Sequence, residues 1–291
     1  MKITVLGAGT MGSGIAQLAA MNGHNVVAFD TSPDALQNGR VRIDDSLRRF
    51  AKAGKLSADD IENVTARLTL TDDLAKATCD ASVVVESVIE KLDVKRAIFA
   101  EAVELAPVDC IFGSNTSQLS ITAIGAGLGH ANAPRLVGIH FFNPPVMMRL
   151  VELTRGYLTS EATLDHAREF AASLDREVVV LNKDVPGFIT TRISGLVRME
   201  CLRILEEGVA SAEDIDRACR LGLNYPMGPL ELGDFNGLDT YLSAMDSLAD
   251  SLGERFRPTP TLRNMVMAGL TGRKNGKGFY NYDEKGRRSS E

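Results

Sequence analysis

The sequence predicts an α/β protein: a doubly wound, mostly parallel sheet carrying a helical-hairpin insertion, followed by an all-α domain. Three observations predict it. A short apolar strand, Lys2 to Leu6, runs directly into Gly7-Ala-Gly9-Thr10-Met11-Gly12 and then into a helical stretch from Ser13 to Asn22. Strand-like and helical segments alternate up to the apolar run Glu177 to Leu181. After Asn182-Lys-Asp-Val-Pro186-Gly187 the pattern is helical, with a strand-like segment only at Phe279 to Tyr282. A length of 291 residues fits two domains at about 150 residues each, and the punctuation places them at 1–185 and 186–291.

The glycine run between a strand and a helix is a dinucleotide-binding pattern. Gly7 permits the tight turn, Gly9 lets backbone approach a pyrophosphate, and Gly12 allows close packing of helix on strand. Helix-start N–H groups then face the anion. The second strand, Asn25 to Phe29, ends at Asp30, whose carboxylate suits ribose hydroxyls and repels a 2′-phosphate. Thr31 and Ser32 offer no compensating cation, so NAD is expected rather than NADP. Between Ser32 and Leu68 a long helical pattern and a second helix opened by Ser57 interrupt the βα rhythm. They predict a hairpin whose tip carries Arg48, Arg49, Lys52 and Lys55, either a solvated face or a holder of a phosphate-rich tail.

Further strands are expected at Arg67 to Thr71, Ala81 to Glu86, Cys110 to Ser114 and Leu136 to Phe141. Val83-Val84-Val85, apolar without alternation, reads as a strand covered on both faces. Right-handed crossovers bring three polar loops to one sheet edge: Glu86 to Glu90, Ser114 to Ser117, and His140 to Asn143. Ser117 is either a helix cap or, if Ser120 caps instead, a free hydroxyl. Of four histidines only His140 has such surroundings. It lies near a strand end closed by Pro144-Pro145, and the next strand brings Glu152 within reach. A neutral imidazole there is a base suited to pH 7.

In the second domain Phe188 to Gly208 reads as a long helix with an apolar stripe through Ile189, Ile193, Leu196, Val197, Ile204 and Leu205. Ser211 opens another helix to about Leu221, and a further one runs near Glu231 to Asp239. Such a stripe packs into its own core or against a second copy, and a homodimer is expected. The final stretch, 285–291, reads as disordered.

Composition excludes other classes. A net charge of −6, from 32 Lys and Arg against 38 Asp and Glu, is wrong for a nucleic-acid partner. No apolar run reaches the roughly 18 residues of a membrane span. Cys79, Cys110, Cys201 and Cys219 have no metal-ligand spacing, so no metal site and reduced, mostly buried thiols are expected. The first strand starts within a few residues of Met1, leaving no room for a leader, and a cytoplasmic location is expected.

Taken together, the motifs resemble the short-chain L-3-hydroxyacyl-CoA (3-hydroxybutyryl-CoA) dehydrogenases. The likeness runs over Gly7 to Gly12, Val85-Glu86-Ser with Glu90, Ser114-Asn-Thr-Ser117, His140-Phe-Phe-Asn143-Pro-Pro, Leu150-Val-Glu152, Asp184-Val-Pro-Gly-Phe188, Tyr225-Pro-Met-Gly-Pro229 and Gly276-Lys-Gly-Phe-Tyr280. The resemblance implies a Rossmann-type NAD domain, a helical substrate and dimerisation domain, and reversible oxidation of a short 3-hydroxyacyl-CoA thioester in the cleft between them. It implies His140 as base, Glu152 on its other ring nitrogen, Ser117 on the substrate oxygen and Asn143 positioning ligand or histidine. It places Glu90 and Lys95 near the nicotinamide ribose, and Lys52 and Lys55 at the CoA phosphates. One position departs: Thr191 stands before Arg192 where the family has a substrate-contacting asparagine, and the shorter side chain reaches the thioester only through water. Two other readings stay open: a dehydrogenase of a free 3-hydroxy acid, and a catalytically silent NAD-binding relative.

Overall fold

The computed structural model describes residues 1–289, and the chain divides into two compact units between Val185 and Pro186. In the first unit eight strands are laid out in chain order: β1 Lys2–Leu6, β2 Asn25–Phe29, β3 Leu68–Thr71, β4 Val83–Glu86, β5 Ile111–Ser114, β6 Leu136–Phe141, β7 Leu150–Thr154 and β8 Glu177–Leu181. They form one sheet in the order β3-β2-β1-β4-β5-β6-β7-β8. Strands β1 to β6 are parallel, β7 is antiparallel to β6, and β8 is parallel to β7. The chain reverses its direction of growth between β1 and β4, the switch point at which such sheets open a ligand crevice.

Three strands begin later than the apolar pattern suggests. The Ala81 and Cys110 N–H groups are used in turns, donating to Thr78 and Pro107, so β4 and β5 start at Val83 and Ile111. The Arg67 N–H likewise closes the preceding helix on Val64, and β3 starts at Leu68. Val83, Val84 and Val85 are fully buried. Helices cover both faces, and apolar transfer worth roughly 1.5–3 kcal/mol per fully buried Val, Ile or Phe side chain holds the layers together.

The covering helices of this unit are α1 Thr10–Met21, α2 Pro33–Lys52, α3 Ala58–Ala66, α4 Leu74–Thr78, α5 Leu92–Leu105, α6 Ile121–Gly125, α7 Gly129–Asn132 and α8 Glu161–Ser173. Helix α2 opens where Ser32 Oγ accepts from the Ala35 N–H, with Pro33 in the first turn. Its 20 residues end at Lys52, and α3 restarts from a reciprocal Ser57/Asp60 capping box. This is the helical hairpin.

In the second unit the helices are α9 Thr190–Glu206, α10 Ala212–Gly222, α11 Pro229–Asn236, α12 Leu238–Leu252 and α13 Pro260–Met267. Here the structure corrects five expectations. Helix α9 starts at Thr190, because Gly187 and Phe188 both take positive φ (72° and 51°) and break the helical path. Its buried side is formed by Gly195, Arg198, Met199, Cys201 and Leu202, whereas Ile189 and Ile193, assigned to the apolar stripe, are 40% and 59% exposed. The single helix expected around Glu231 to Asp239 is interrupted at Gly237, whose φ of 95° separates α11 from α12. Two carboxylates organise this unit: buried Asp216 accepts from the Leu230 and Glu231 N–H groups at the start of α11, and buried Asp234 accepts from those of Phe279 and Tyr280. Phe279 to Tyr282 is therefore not a strand: Phe279 and Tyr280 turn onto Asp234, and only Asn281 and Tyr282 form isolated bridges. Residues 285–289 are not loose: Asp283 accepts from the Lys285 and Arg287 N–H groups, and the Arg288 guanidinium lies 3.6 Å from the Tyr280 ring centre. Ser290 and Glu291, also in that expectation, lie outside the described residues.

Candidate active site

The glycine turn after β1 is built by close approach. Gly7 has φ of 100°, and a Cβ there would sit 2.6 Å from the Ser87 carbonyl oxygen; one at Gly12 would fall 1.8 Å from the Gly7 oxygen. A Cβ at Gly9 would meet nothing within 4 Å, so this side of the turn is open. Gly9 caps α1 without any side-chain hydrogen bond, which leaves first-turn N–H groups for an anion. Thr10 is exposed there, and Met11 is half-buried against the core. Asp30 stands beside the turn: its Oδ2 accepts from the Ala8 N–H at 2.8 Å and its Oδ1 from the Ser32 N–H at 3.0 Å. The open face, uncapped helix start and adjacent carboxylate fit a dinucleotide's pyrophosphate and adenosine ribose.

A polar relay crosses the strand ends beyond the switch point. Glu86, the last residue of β4, is completely buried. Its Oε1 accepts from Lys95 Nζ at 2.6 Å and the Val88 N–H at 2.8 Å, and its Oε2 from the Ser114 hydroxyl at 2.6 Å. Burial raises the pKa of Glu86 above the usual carboxylate range, against the pull of Lys95, Ser114 and Val88. Lys95 is 1% exposed, and its ammonium also lies 3.1 Å from Glu90 Oε2. This ammonium, which the resemblance puts near a ribose, is thus held between two carboxylates and orients Glu90. Glu90 Oε1 in turn accepts from the Ser117 N–H at 3.1 Å and from the Thr116 hydroxyl.

Ser117 does not cap a helix. Ser120 caps α6 by accepting from the Ala123 N–H, and Asp184 holds the same helix start through the Ser120 hydroxyl and the Ile121 and Thr122 N–H groups. The Ser117 hydroxyl lies instead 3.2 Å from His140 Nε2. On the other side of the ring, His140 Nδ1 is 2.9 Å from Glu152 Oε2. The two residues are opposite one another in the antiparallel β6/β7 pair, so sheet register alone brings them together. Both are buried, and the Phe142 ring leans on the imidazole at 4.5 Å between centres. Asn115 Oδ1 accepts from the Phe141 N–H at 2.8 Å and ties the β5 loop to β6.

Four further residues were expected at the site. Asn143 is exposed just beyond β6, and its side chain makes no hydrogen bond among the described residues. Lys52 and Lys55 are exposed at the hairpin tip and, among the described residues, make no ion pair; Lys55 Nζ lies 5.8 Å from the Phe50 ring centre. Thr191, half-buried in the first turn of α9, belongs to the second unit. Of the four thiols Cys110, Cys201 and Cys219 are buried and Cys79 is exposed. Sequence reasoning missed the supporting groups Asn115, Asp184 and Arg42. Asp184 acts on a helix 62 to 64 residues away, which no local signal reveals. Arg42 follows Gly39 by one turn of α2, and helical phase could have placed both against the glycine turn.

An adenine-dinucleotide turn beside a Ser-His-Glu relay defines an NAD-linked oxidoreductase. Comparison with known proteins gives the family. The description "3-hydroxyacyl-CoA dehydrogenase, NAD binding domain" matches residues 2–185, and "3-hydroxyacyl-CoA dehydrogenase, C-terminal domain" matches residues 187–282. A probable 3-hydroxybutyryl-CoA dehydrogenase of Deinococcus radiodurans is 43% identical, over 97% of this chain and 100% of its own length. A 3-hydroxybutyryl-CoA dehydrogenase of Bradyrhizobium diazoefficiens is 42% identical, over 97% and 95%. Among solved structures, (S)-3-hydroxybutyryl-CoA dehydrogenase PaaH1 from Ralstonia eutropha superposes with a TM-score of 0.91 at 38% identity, covering 97% of this chain and 99% of that one. The chain belongs to the 3-hydroxyacyl-CoA dehydrogenase family.

Proposed function

We propose that this enzyme interconverts short-chain 3-hydroxyacyl-CoA and 3-oxoacyl-CoA thioesters of the 3-hydroxybutyryl type, with residues 1–185 as the NAD domain and 186–291 as the substrate and dimerisation domain. The observation that carries the reading is the relay Ser117 Oγ to His140 Nε2, 3.2 Å, and His140 Nδ1 to Glu152 Oε2, 2.9 Å. NAD, when bound, supplies the hydride acceptor. The chain's own residues do the rest. Gly7, Gly9, Thr10, Met11 and Gly12 present backbone to the pyrophosphate, and Asp30 accepts from ribose hydroxyls. Glu90, set by Lys95, lines the approach to the nicotinamide ribose. Glu152 accepts from the Nδ1–H of His140, which leaves the Nε2 lone pair facing the Ser117 hydroxyl. The substrate 3-hydroxyl, held by Ser117, gives its proton to Nε2 as the C3 hydride departs, and Glu152 stabilises the imidazolium so formed. Asn143 positions the ligand next to the histidine, Thr191 faces the thioester region through water, and Lys52 and Lys55 meet the CoA phosphates.

Exposed Ile189, Ile193, Leu221, Leu223 and Met267 in the second unit support a homodimer, which light scattering tests. No described helix is long and apolar enough to cross a membrane. A cytoplasmic location and an acyl-CoA thioester, rather than a membrane or a nucleic acid, as partner belong to the same proposal. The deciding experiment is reduction of acetoacetyl-CoA by NADH. His140→Ala is expected to lose roughly 10²–10⁴-fold in kcat. Robust turnover by that variant refutes the base assignment, and a preference for free 3-oxo acids over their CoA thioesters refutes the substrate class.

A further inference from the structure

We infer that Arg42 is a positioning residue for the dinucleotide turn, fixing the carbonyls of Ala8 and Gly9 so that the following N–H groups are presented to the cofactor. This rests on the reading of Gly7 to Gly12 as the NAD site. Helix α2 passes so close to the turn at Gly39 that a Cβ there would lie 2.9 Å from the Ala8 oxygen. One turn later, Arg42 donates from Nη2 to that same oxygen at 2.6 Å and from Nε to Ser13 Oγ at 3.2 Å. The Ser13 hydroxyl donates onward to the Gly9 oxygen at 2.7 Å. One guanidinium therefore anchors two successive carbonyls, the first directly and the second through a hydroxyl.

The consequence follows from the planar trans peptide, in which the carbonyl and the next residue's N–H point in opposite directions. Holding the Ala8 carbonyl on the α2 side turns the Gly9 N–H away from α2. Holding the Gly9 carbonyl does the same for the Thr10 N–H. The Ala8 N–H is already committed to Asp30 Oδ2, so Asp30 and Arg42 grip the two ends of one residue. Charge matters as well as geometry. Neighbouring Arg40 and Arg48 pair with Asp44 and Asp45, but Arg42 forms no ion pair among the described residues. Its positive charge is left at the turn, opposite in sign to Asp30 and favourable to a pyrophosphate.

The test uses the full chain and NADH alone, titrated by fluorescence, alongside steady-state rates with acetoacetyl-CoA. Arg42→Met, which keeps the stem, is expected to raise the NADH dissociation constant and KM roughly tenfold, the scale of one lost charge-assisted hydrogen bond. It should leave kcat and the acetoacetyl-CoA KM within about twofold, a split that general loss of structure would not give. Arg42→Lys, restoring the cation and one donor, is expected to recover about half of the loss on a logarithmic scale, and it decides the question if the methionine variant fails to fold. Ser13→Ala combined with Arg42→Met should cost less than the sum of the single effects, because both interrupt one relay. NADH affinity within twofold of wild type in the Arg42 variants, or equal losses in kcat and in both KM values, overturns the assignment. Wild-type protein that fails to bind NADH overturns the underlying NAD reading instead.

Discussion

Replacing Glu152 with glutamine separates charge from hydrogen bonding in the relay. Glu152 Oε2 lies 2.9 Å from His140 Nδ1, and two unit charges at that separation attract by about 6 kcal/mol at an effective dielectric of 20. In the proposed reaction both partners carry charge once His140 has taken the substrate proton, so this attraction favours the oxidised side of the step. Glutamine's carbonyl can still accept from the Nδ1–H and preserve the tautomer, and its dipole returns part of the lost stabilisation. If about half is returned, roughly 3 kcal/mol disappears from the proton-transfer step, about a hundredfold in kcat. The assay is steady-state 3-hydroxybutyryl-CoA oxidation with saturating NAD, with the solvent isotope effect on kcat as second readout. The isotope effect should grow as proton transfer becomes slower than the other steps. Glu152→Ala, which also loses the acceptor, should fall further. A kcat for Glu152→Gln within about fivefold of wild type, with the isotope effect unchanged, refutes the electrostatic role.

Two further outcomes concern stability. Burial, then the nearby N-terminal ammonium, lowers the pKa of His24 below its usual value, while contact with Ser173 partly opposes them. The unfolded chain therefore takes up a proton near pH 6.5 that the folded chain refuses. Stability contributed by neutral His24 is full above that range and falls as pH drops from about 6.5 toward the lower folded value. Thermal melts between pH 7 and pH 5 should show a smaller acid-side decline for His24→Gln than for wild type, and parallel curves would contradict this. Arg198 is buried in α9 over the Tyr241 ring, 4.5 Å from its centre, and burial lowers its pKa. Removing a buried charge that has no ion pair among the described residues gains more than the cation–π contact loses, so Arg198→Met should stabilise by roughly 1–2 kcal/mol and raise Tm by about 3–6 °C. A fall in Tm by as much would show that the guanidinium is better compensated than its surroundings indicate.

How much was legible in the sequence follows from the distance over which each feature is encoded. The glycine turn, the β6/β7 contact between His140 and Glu152, and the Ser120 cap that leaves Ser117 free are all set within a few residues or by strand register. Apolar pattern and capping chemistry suffice for those. Helix α9 departs from its hydrophobic pattern because its buried side is decided by α10, α11, α12 and α13, which pack against it. They cover Gly195 and Arg198, residues that no hydrophobic stripe would select, and leave Ile193 outside. The strand-like segment Phe279 to Tyr282 departs from its local pattern for a similar reason. Asp234 fastens Phe279 and Tyr280 from 45 and 46 residues away, and a polar, glycine-containing tail gives no local sign of it.

The support of His140, the proposed base, explains why so few residues beyond the relay are needed to place it. Strands β4, β5, β6 and β7 are consecutive neighbours in the sheet, and each contributes one polar group at or near its end: Glu86, Ser114 with Ser117 just beyond it, His140 and Glu152. Neighbouring strands are about 4.8 Å apart, so side chains on adjacent strand ends meet without any long loop being ordered first. Glu86 accepts from Ser114, Lys95 joins Glu86 to Glu90, and Glu90 fixes the Ser117 backbone that presents its hydroxyl to His140. Each of these relay groups has a hydrogen-bond partner, and a network satisfied in this way is stiff because breaking any one bond strands a desolvated group at a cost of roughly 1–3 kcal/mol. The sheet thus holds the proposed base and the hydroxyl beside it in one geometry, while the α2/α3 hairpin meets this unit at the glycine turn instead, through Gly39 and Arg42.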